Sequence, residues 1–180
     1  MESAPNASLV GPAEMRSTMS LFATGVVVLT VGGEHIHGMT ANSFSSVSLR
    51  PPLVLCCVAK TAIMHRAIRT AGHFATSVLR ADQESYARYF AHRDRPLGRA
   101  QFDVGAWRPG SHTGAPLLRD CLAWVECSLS DAYEAGDHSV FIGEVLGSGR
   151  TDGAGGLLFF DGGYQRAMPR PSTDGADDAG

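Results

Sequence analysis

Thr40-Ala41-Asn42-Ser43-Phe44-Ser45-Ser46-Val47-Ser48-Leu49-Arg50-Pro51-Pro52 runs directly into Leu53-Val54-Leu55-Cys56-Cys57-Val58-Ala59. Six of the first nine residues (Thr40, Asn42, Ser43, Ser45, Ser46 and Ser48) carry a neutral hydrogen-bonding side chain. A half-buried strand rarely needs so many, whereas a groove for a polyol and a phosphate does. Period two places Thr40, Asn42, Phe44, Ser46 and Ser48 on one face, with Ala41, Ser43, Ser45, Val47 and Leu49 opposite. Each face mixes polar and apolar residues, which a simple split between solvent and core does not produce. A solvated edge strand and a ligand-holding strand are both compatible with this composition. The apolar run after the prolines is continuous, which predicts a central strand covered on both faces.

Outward from this stretch, strands dominate. Gly25 opens the β-branched run Val26–Val31, Gly32-Gly33 marks a turn, and His35–Ser43 is expected to return as the second strand of a hairpin. Pro12–Phe22 reads as a short helix with Met15, Met19 and Phe22 on its apolar face. Thr61 is the expected N-cap of a helix that ends before Gly72 and buries Ile63, Ala67 and Ile68. Phe74–Leu79 is a strand, and Asp82 is expected to cap a helix carrying Tyr86, Tyr89 and Phe90. Residues 91–116 form the least regular region, read as a surface excursion or lid. Cys121–Leu129 alternates as a strand, Gly136-Asp137-His138 is a turn, and Ser139–Leu146 is its partner. Leu157–Phe160 is a last strand before the turn Asp161-Gly162-Gly163. Tight turns between most strands, with helical excursions after residues 60 and 81, predict a mainly β fold: an antiparallel barrel with peripheral helices.

The expected organisation is a flexible N-terminus (1–11), one domain (12–166) and a disordered tail (167–180) rich in Pro, Ser, Gly, Asp and Ala. Apolar residues make up 44% of the 180, enough for a sizeable core. A formal charge of −3 argues against a general nucleic-acid binder. No stretch is long and apolar enough to predict a membrane span, and no signal peptide is expected, so the predicted compartment is the cytoplasm. Cys56, Cys57, Cys121 and Cys127 are expected to be reduced, buried and structural, with the last two on one strand face. His35 and His37 would share a strand face, but no third ligand stands at a compelling spacing; two outward-facing polar residues are expected, and no metal.

Dinucleotide-binding and phosphate-binding glycine motifs and the hydrolase Gly-x-Ser-x-Gly elbow are absent from the sequence. Lys60-Thr61, at a strand-to-helix junction, could form an anion site from backbone N–H groups, a hydroxyl and an ammonium. An ordinary capped helix explains the same two residues.

Five segments in order resemble the flavin reductase family of FMN-binding split barrels, the small reductase partners of two-component flavin monooxygenases. They are residues 22–30 (Phe-Ala-Thr-Gly-Val-Val-Val-Leu-Thr), 38–55, 72–79 (Gly-His-Phe-Ala-Thr-Ser-Val-Leu), 136–138 (Gly-Asp-His) and 158–164 (Leu-Phe-Phe-Asp-Gly-Gly-Tyr). The resemblance implies a Greek-key split β-barrel, a homodimer, FMN or FAD as flavin and NADH or NADPH as hydride donor. It also implies a partner monooxygenase that receives reduced flavin. By the same resemblance Thr40, Ala41, Asn42 and Ser43 lie along the flavin ring and ribityl chain, and Ser45 and Ser46 make phosphate or ribityl contacts. Ala59, Lys60 and Thr61 receive the phosphate end. His138 faces the nicotinamide as the one catalytic candidate. Phe159, Phe160, Gly162 and Tyr164 help to bind NAD(P)H, and His65 and His92 are weaker flavin contacts. Gln101-Phe102 departs from the Lys-Phe pair usual in the family. Two other readings are a flavin-retaining oxidoreductase acting directly on a small organic substrate, and a non-catalytic flavin-binding module.

Overall fold

The structure is a computed structural model describing residues 10–151 and 155–168; the expected N-terminal flexibility and C-terminal disorder fall almost wholly outside them. Along the chain lie α1 (Pro12–Ser20), β1 (Thr24–Gly25), β2 (Val27–Val31), β3 (His37–Ala41), β4 (Phe44–Leu49), β5 (Pro52–Ala59), α2 (Ile63–Ala71), β6 (His73–Val78) and α3 (Glu84–Ala91). They are followed by β7 (Trp107–Pro109), β8 (Pro116–Leu118), β9 (Ala123–Ala135), β10 (His138–Arg150), β11 (Gly156–Phe160) and β12 (Gly163–Ala167). The fold is mainly β, as expected.

Seven strands form one antiparallel sheet in the order β3-β2-β6-β9-β10-β5-β4. The strands β3 and β4 are consecutive in sequence yet occupy opposite edges. Only Asn42 and Ser43 separate them, and an extended residue spans at most about 3.6 Å. The sheet therefore rolls until its two edges meet at this corner, where Cys57 N–H donates to Ser43 O at 3.1 Å. No ladder joins β3 to β4, so the roll is open along its seam. The unbroken alternation expected across residues 40–49 fails at this corner and again at a register shift between Ser46 and Ser48.

A second sheet, β1-β11-β12, continues from the first because β1 leads into β2 through Val26. Val26 N–H donates to Leu157 O at 3.1 Å, and Val26 O accepts from Leu79 N–H at 3.0 Å. The Asp161-Gly162 turn joins β11 to β12 with both residues at positive φ, 50° and 73°; Asp-Gly suits such a two-residue hairpin turn.

Two cores flank β2. Val27, Leu29 and Val31 face Cys56, Val58, Phe74 and Phe141, with Met64, Ala67 and Ile68 of α2 closing that core. Val26 and Val28 face Phe90, Phe102 and Leu157 beneath α3. Thus β2, rather than β5, is the strand covered on both faces. The apolar run of β5 alternates in burial: Val54, Cys56 and Val58 point inward, while Leu55, Cys57 and Ala59 are only partly buried. It lies next to the edge, and its outer face turns toward a cavity.

Several local expectations shift. Ala62, not Thr61, is the N-cap of α2, and Ile63 is exposed while Met64 takes its place inside. Gln83, not Asp82, precedes α3; Asp82 instead pairs with Arg80 at 2.6 Å. Cys121 lies before β9, and Cys57 is only partly buried. Buried Cys56 and Cys127 have thiols pushed up to about 12 by desolvation, which keeps them protonated and inert. His35 sits in a 3₁₀ turn (Gly33–His35), whereas His37 is buried against Arg95 at 3.1 Å rather than facing outward.

The 91–116 excursion is pinned rather than free to swing. Gln101 and Phe102 are buried. Gln101 Oε1 accepts from Gly38 N–H at 2.7 Å, and its Nε2 donates to Gly98 O at 2.7 Å and Ile36 O at 3.3 Å. The amide therefore serves as acceptor and donor at once, a task that the lysine of the resembled Lys-Phe pair could not perform, having no acceptor. Gln101→Leu should leave these buried groups unpaired, at a cost of about 2 kcal/mol. A fall of about 4–8 °C in melting temperature, followed by circular dichroism, is expected.

Candidate functional site

A cavity of about 740 Å³ opens where the rolled sheet meets the small sheet. Its walls come from the end of α1 (Arg16, Met19, Ser20), Phe22 before β1 and Thr24 at its start, the corner Asn42–Ser45, the outer face of β5 (Leu55, Cys57), and Phe159 and Gly162. The turn carrying Gly162 is tied down by Asp161 N–H, which donates to Ser20 O at 2.7 Å. A smaller hollow of about 190 Å³ adjoins it, lined by Val26, Thr40, Ala41, Asn42, Ala91, Phe159 and Tyr164. Asn42 and Phe159 belong to both, so the strand read as a flavin platform and the segment read as a dinucleotide contact face one another.

The polar groups on this platform are not equivalent. Thr40 Oγ1 donates to Ala87 O of α3 at 2.7 Å, and Ser43 Oγ donates to Cys57 O at 2.8 Å. These hydroxyls hold the platform in place and offer a ligand only acceptor lone pairs. Ser45 Oγ donates to Ser46 O at 3.2 Å. Asn42 is exposed at the junction of both hollows, where its amide can donate and accept. Phe159 and Tyr164 pack edge to face, ring centroids 5.6 Å apart, and Arg88 lies over the Tyr164 ring at 5.1 Å. Burial raises the Tyr164 hydroxyl pKa, while nearby Arg88 opposes that rise.

Ala59, Lys60, Thr61 and His138 assemble elsewhere, around the β5–β10 corner. His138 pairs with Ala59 across the ladder, and Lys60 N–H donates to Asp137 O at 3.0 Å. Ala59 shares the outward face of β5 with Cys57, about 7 Å farther along the strand. His138 Nδ1 meets Asp137 Oδ1 at 2.8 Å, and this contact holds the Asp137 carboxyl below its usual range. His65 belongs to the same corner through Ser139, while His92 ends α3 and contacts Asp94 and Arg95. Ser46 and Phe160 line neither hollow.

Arg16, Thr24, Leu55 and Cys57 are wall residues not singled out from the sequence. Thr24 and Leu55 fall within residues 22–30 and 38–55, which carry the family resemblance, yet Leu55 and Cys57 look like ordinary strand core until the sheet's roll turns them toward the cavity. Thr24 Oγ1 is buried with no hydrogen-bond partner among the described residues. The donor set combines a flat apolar wall, Phe159, with an amide, hydroxyls and backbone groups. It fits an aromatic ring system with a polar edge and a polyol. Among the described residues, no group of three His, Cys, Asp or Glu side chains is placed to hold a metal ion.

A mainly β scaffold with a cavity of this size beside an aromatic hairpin has room for a flat heterocycle. Residues 19–168 match the flavin reductase like domain family. An NADH-dependent FAD reductase of Streptomyces globisporus is 48% identical over 169 residues, covering 92% of this chain and 93% of that protein. The crystal structure of BorF, the flavin reductase component of a bacterial two-component tryptophan halogenase, superposes with a TM-score of 0.86 at 48% identity, covering 89% and 100% of the two chains. A Streptomyces globisporus NADH:FAD oxidoreductase in complex with NAD and FAD fragments gives 0.83 at 45% identity, covering 93% and 100%. The chain belongs to the flavin reductase family.

Proposed function

We propose that this chain is an NADH-dependent flavin reductase that reduces FAD or FMN and supplies the reduced flavin to a partner monooxygenase. The observation that carries the reading is the pair of hollows sharing Asn42 and Phe159, in a chain 48% identical to an NADH-dependent FAD reductase. When bound, the two cofactors supply hydride transfer from nicotinamide to flavin, so the protein needs no nucleophile or triad. Thr40, Ala41, Asn42, Ser43 and Ser45 would form the flavin platform, Ser46 would approach its polar rim, and Ala59, Lys60 and Thr61 would receive its phosphate end. Phe159, Gly162 and Tyr164 would position the nicotinamide dinucleotide, with Phe160 at the rim. Holding both rings in one orientation converts an encounter into a unimolecular step. His138 would orient the nicotinamide side rather than act as an obligatory base.

The open roll with its Asn42–Ser43 corner supports reading the fold as a Greek-key split barrel. Met15, Met19, Leu21 and Phe22 around the end of α1 are exposed, as are Val47 and Leu49 on the β4 edge, and exposed apolar side chains of this number support a homodimer. Such an interface would lie beside the cavity and bring a second chain to the site.

Mixing the protein with excess free FAD or FMN and NADH under air, and following absorbance at the nicotinamide band, tests the activity. Steady turnover on free flavin is expected. Turnover only after addition of an organic substrate would point to a flavin-retaining oxidoreductase, and none at all to a binding module. His138→Ala should raise KM for NADH by about tenfold, a loss near 1.4 kcal/mol, while KM for flavin moves less. NADH kinetics equal to wild type would remove His138 from this role.

A further inference from the structure

The corner at Lys60 contains an ion-pair network that hydride transfer does not require. Lys60 is the only lysine among the chain's fifteen Lys and Arg residues. Its ammonium meets Glu134 Oε2 at 2.6 Å, and Arg69 meets the other carboxylate oxygen, Oε1, at 2.5 Å. Ser139 Oγ also donates to Oε1, at 3.2 Å. Ser139 is fully buried, and its oxygen accepts from His65 Nε2 at 2.8 Å. The His65 ring is itself set edge-on against Phe141, centroids 5.2 Å apart. A buried serine and two cations thus orient one exposed carboxylate, an arrangement more constrained than an ordinary surface pair.

A carboxylate gripped by a lysine and an arginine reproduces what a phosphate group would offer them: two anionic oxygens at hydrogen-bonding distance. An arriving phosphate must displace Glu134 from Lys60 or share the ammonium's other N–H donors with it, and either way sits beside a like charge. The gain from binding is therefore smaller than that of a phosphate meeting an unpaired lysine. We propose that Glu134 is an internal stand-in for the flavin phosphate, holding Lys60 and Arg69 when the site is empty and limiting the affinity for phosphorylated flavins. This rests on the reading that the phosphate end lies at Lys60–Thr61. A reductase that passes flavin onward gains faster release from such a competitor without weakening the ring contacts that set hydride-transfer geometry.

The test is binding without NADH, read by quenching of flavin fluorescence, for FMN and for riboflavin, which lacks the phosphate. Wild type, Glu134→Gln and Lys60→Ala are compared, with Glu134→Ala as a second removal of the charge. The quantity read is the ratio of riboflavin Kd to FMN Kd. Glu134→Gln should raise this ratio about fivefold, the scale of two exposed pairs. Lys60→Ala should lower it. If Lys60→Ala lowers the ratio while both Glu134 variants leave it at the wild-type value, the phosphate is where expected and the stand-in role is wrong. If Lys60→Ala leaves the ratio unchanged, the phosphate does not reach this corner, and the placement falls together with the stand-in.

Discussion

Glu126→Ala is expected to lower the melting temperature by about 10 °C, the largest stability effect expected of any single carboxylate among the described residues. Glu126 is fully buried on β9. Its Oε1 accepts from His112 N–H at 3.0 Å, Thr113 N–H at 2.9 Å and Thr113 Oγ1 at 2.8 Å, while Oε2 accepts from Ser111 N–H at 3.1 Å. One side chain thus satisfies three successive backbone donors of the loop before β8. Alanine would strand them, at a cost of about 3–5 kcal/mol, which for a chain of this size corresponds to about 2–4 °C per kcal/mol. The fit is close: a Cβ on Gly110 would come within 2.1 Å of Glu126 Oε1, so a side chain there should perturb the same loop.

The same site predicts a pH dependence. Burial alone would raise the Glu126 pKa, but the hydrogen bonds from Thr113, His112 and Ser111 outweigh it and leave the carboxyl below its usual value. The unfolded chain then binds the proton more readily than the folded one. The stabilisation is complete above the usual glutamate range and disappears as pH falls through the lower folded value. Glu126→Gln keeps the shape and removes this titration. The difference in stability between wild type and Glu126→Gln should therefore shrink as pH falls below about 4.5. A difference that stays constant between pH 7 and pH 3 would show that the charge contributes nothing.

Glu126 also shows where sequence reading stops. Alternation along 121–129 places it beside Trp124 and Ser128 on the face opposite the cysteines, and a charged residue there looks solvated. Only the 91–116 excursion, folding back with its unpaired amides, makes that position an anchor. The strands β7 and β8 were missed for a related reason: each has three residues and a proline, too short for periodicity to register. The strand β12 was missed because Tyr164-Gln165-Arg166 carries little apolar pattern. Residues with strong local signals fared better. The αL cap at Gly72, the Asp161-Gly162 turn and the β-branched run of β2 are set by local backbone preferences. The polar excess at 40–48 falls on the corner that lines the cavity. Its geometry depends on a two-residue passage from one sheet edge to the other, which no alternation rule anticipates, and which turns Thr40 and Ser43 into internal braces while leaving Asn42 exposed in the cavity wall.

That geometry makes the flavin reading open to a direct steric challenge. Cys57 points outward from β5 and forms part of the cavity wall beside Ser43. Its backbone, through N–H and C=O, holds the Asn42–Ser43 corner, and a substitution leaves those groups in place. Cys57→Trp directs an indole into the open volume rather than into either core, so thermal stability should change little. A planar ligand lying along the 40–45 platform would lose its seat on the β5 wall. Flavin affinity is expected to fall by more than about 100-fold, or roughly 2.7 kcal/mol, for riboflavin as strongly as for FMN, because the ring rather than the phosphate is displaced. Cys57→Ala enlarges the cavity slightly and should retain binding. If Cys57→Trp is folded and binds riboflavin as wild type does, the ring cannot lie between β5 and Phe159, and the cavity belongs to some other ligand.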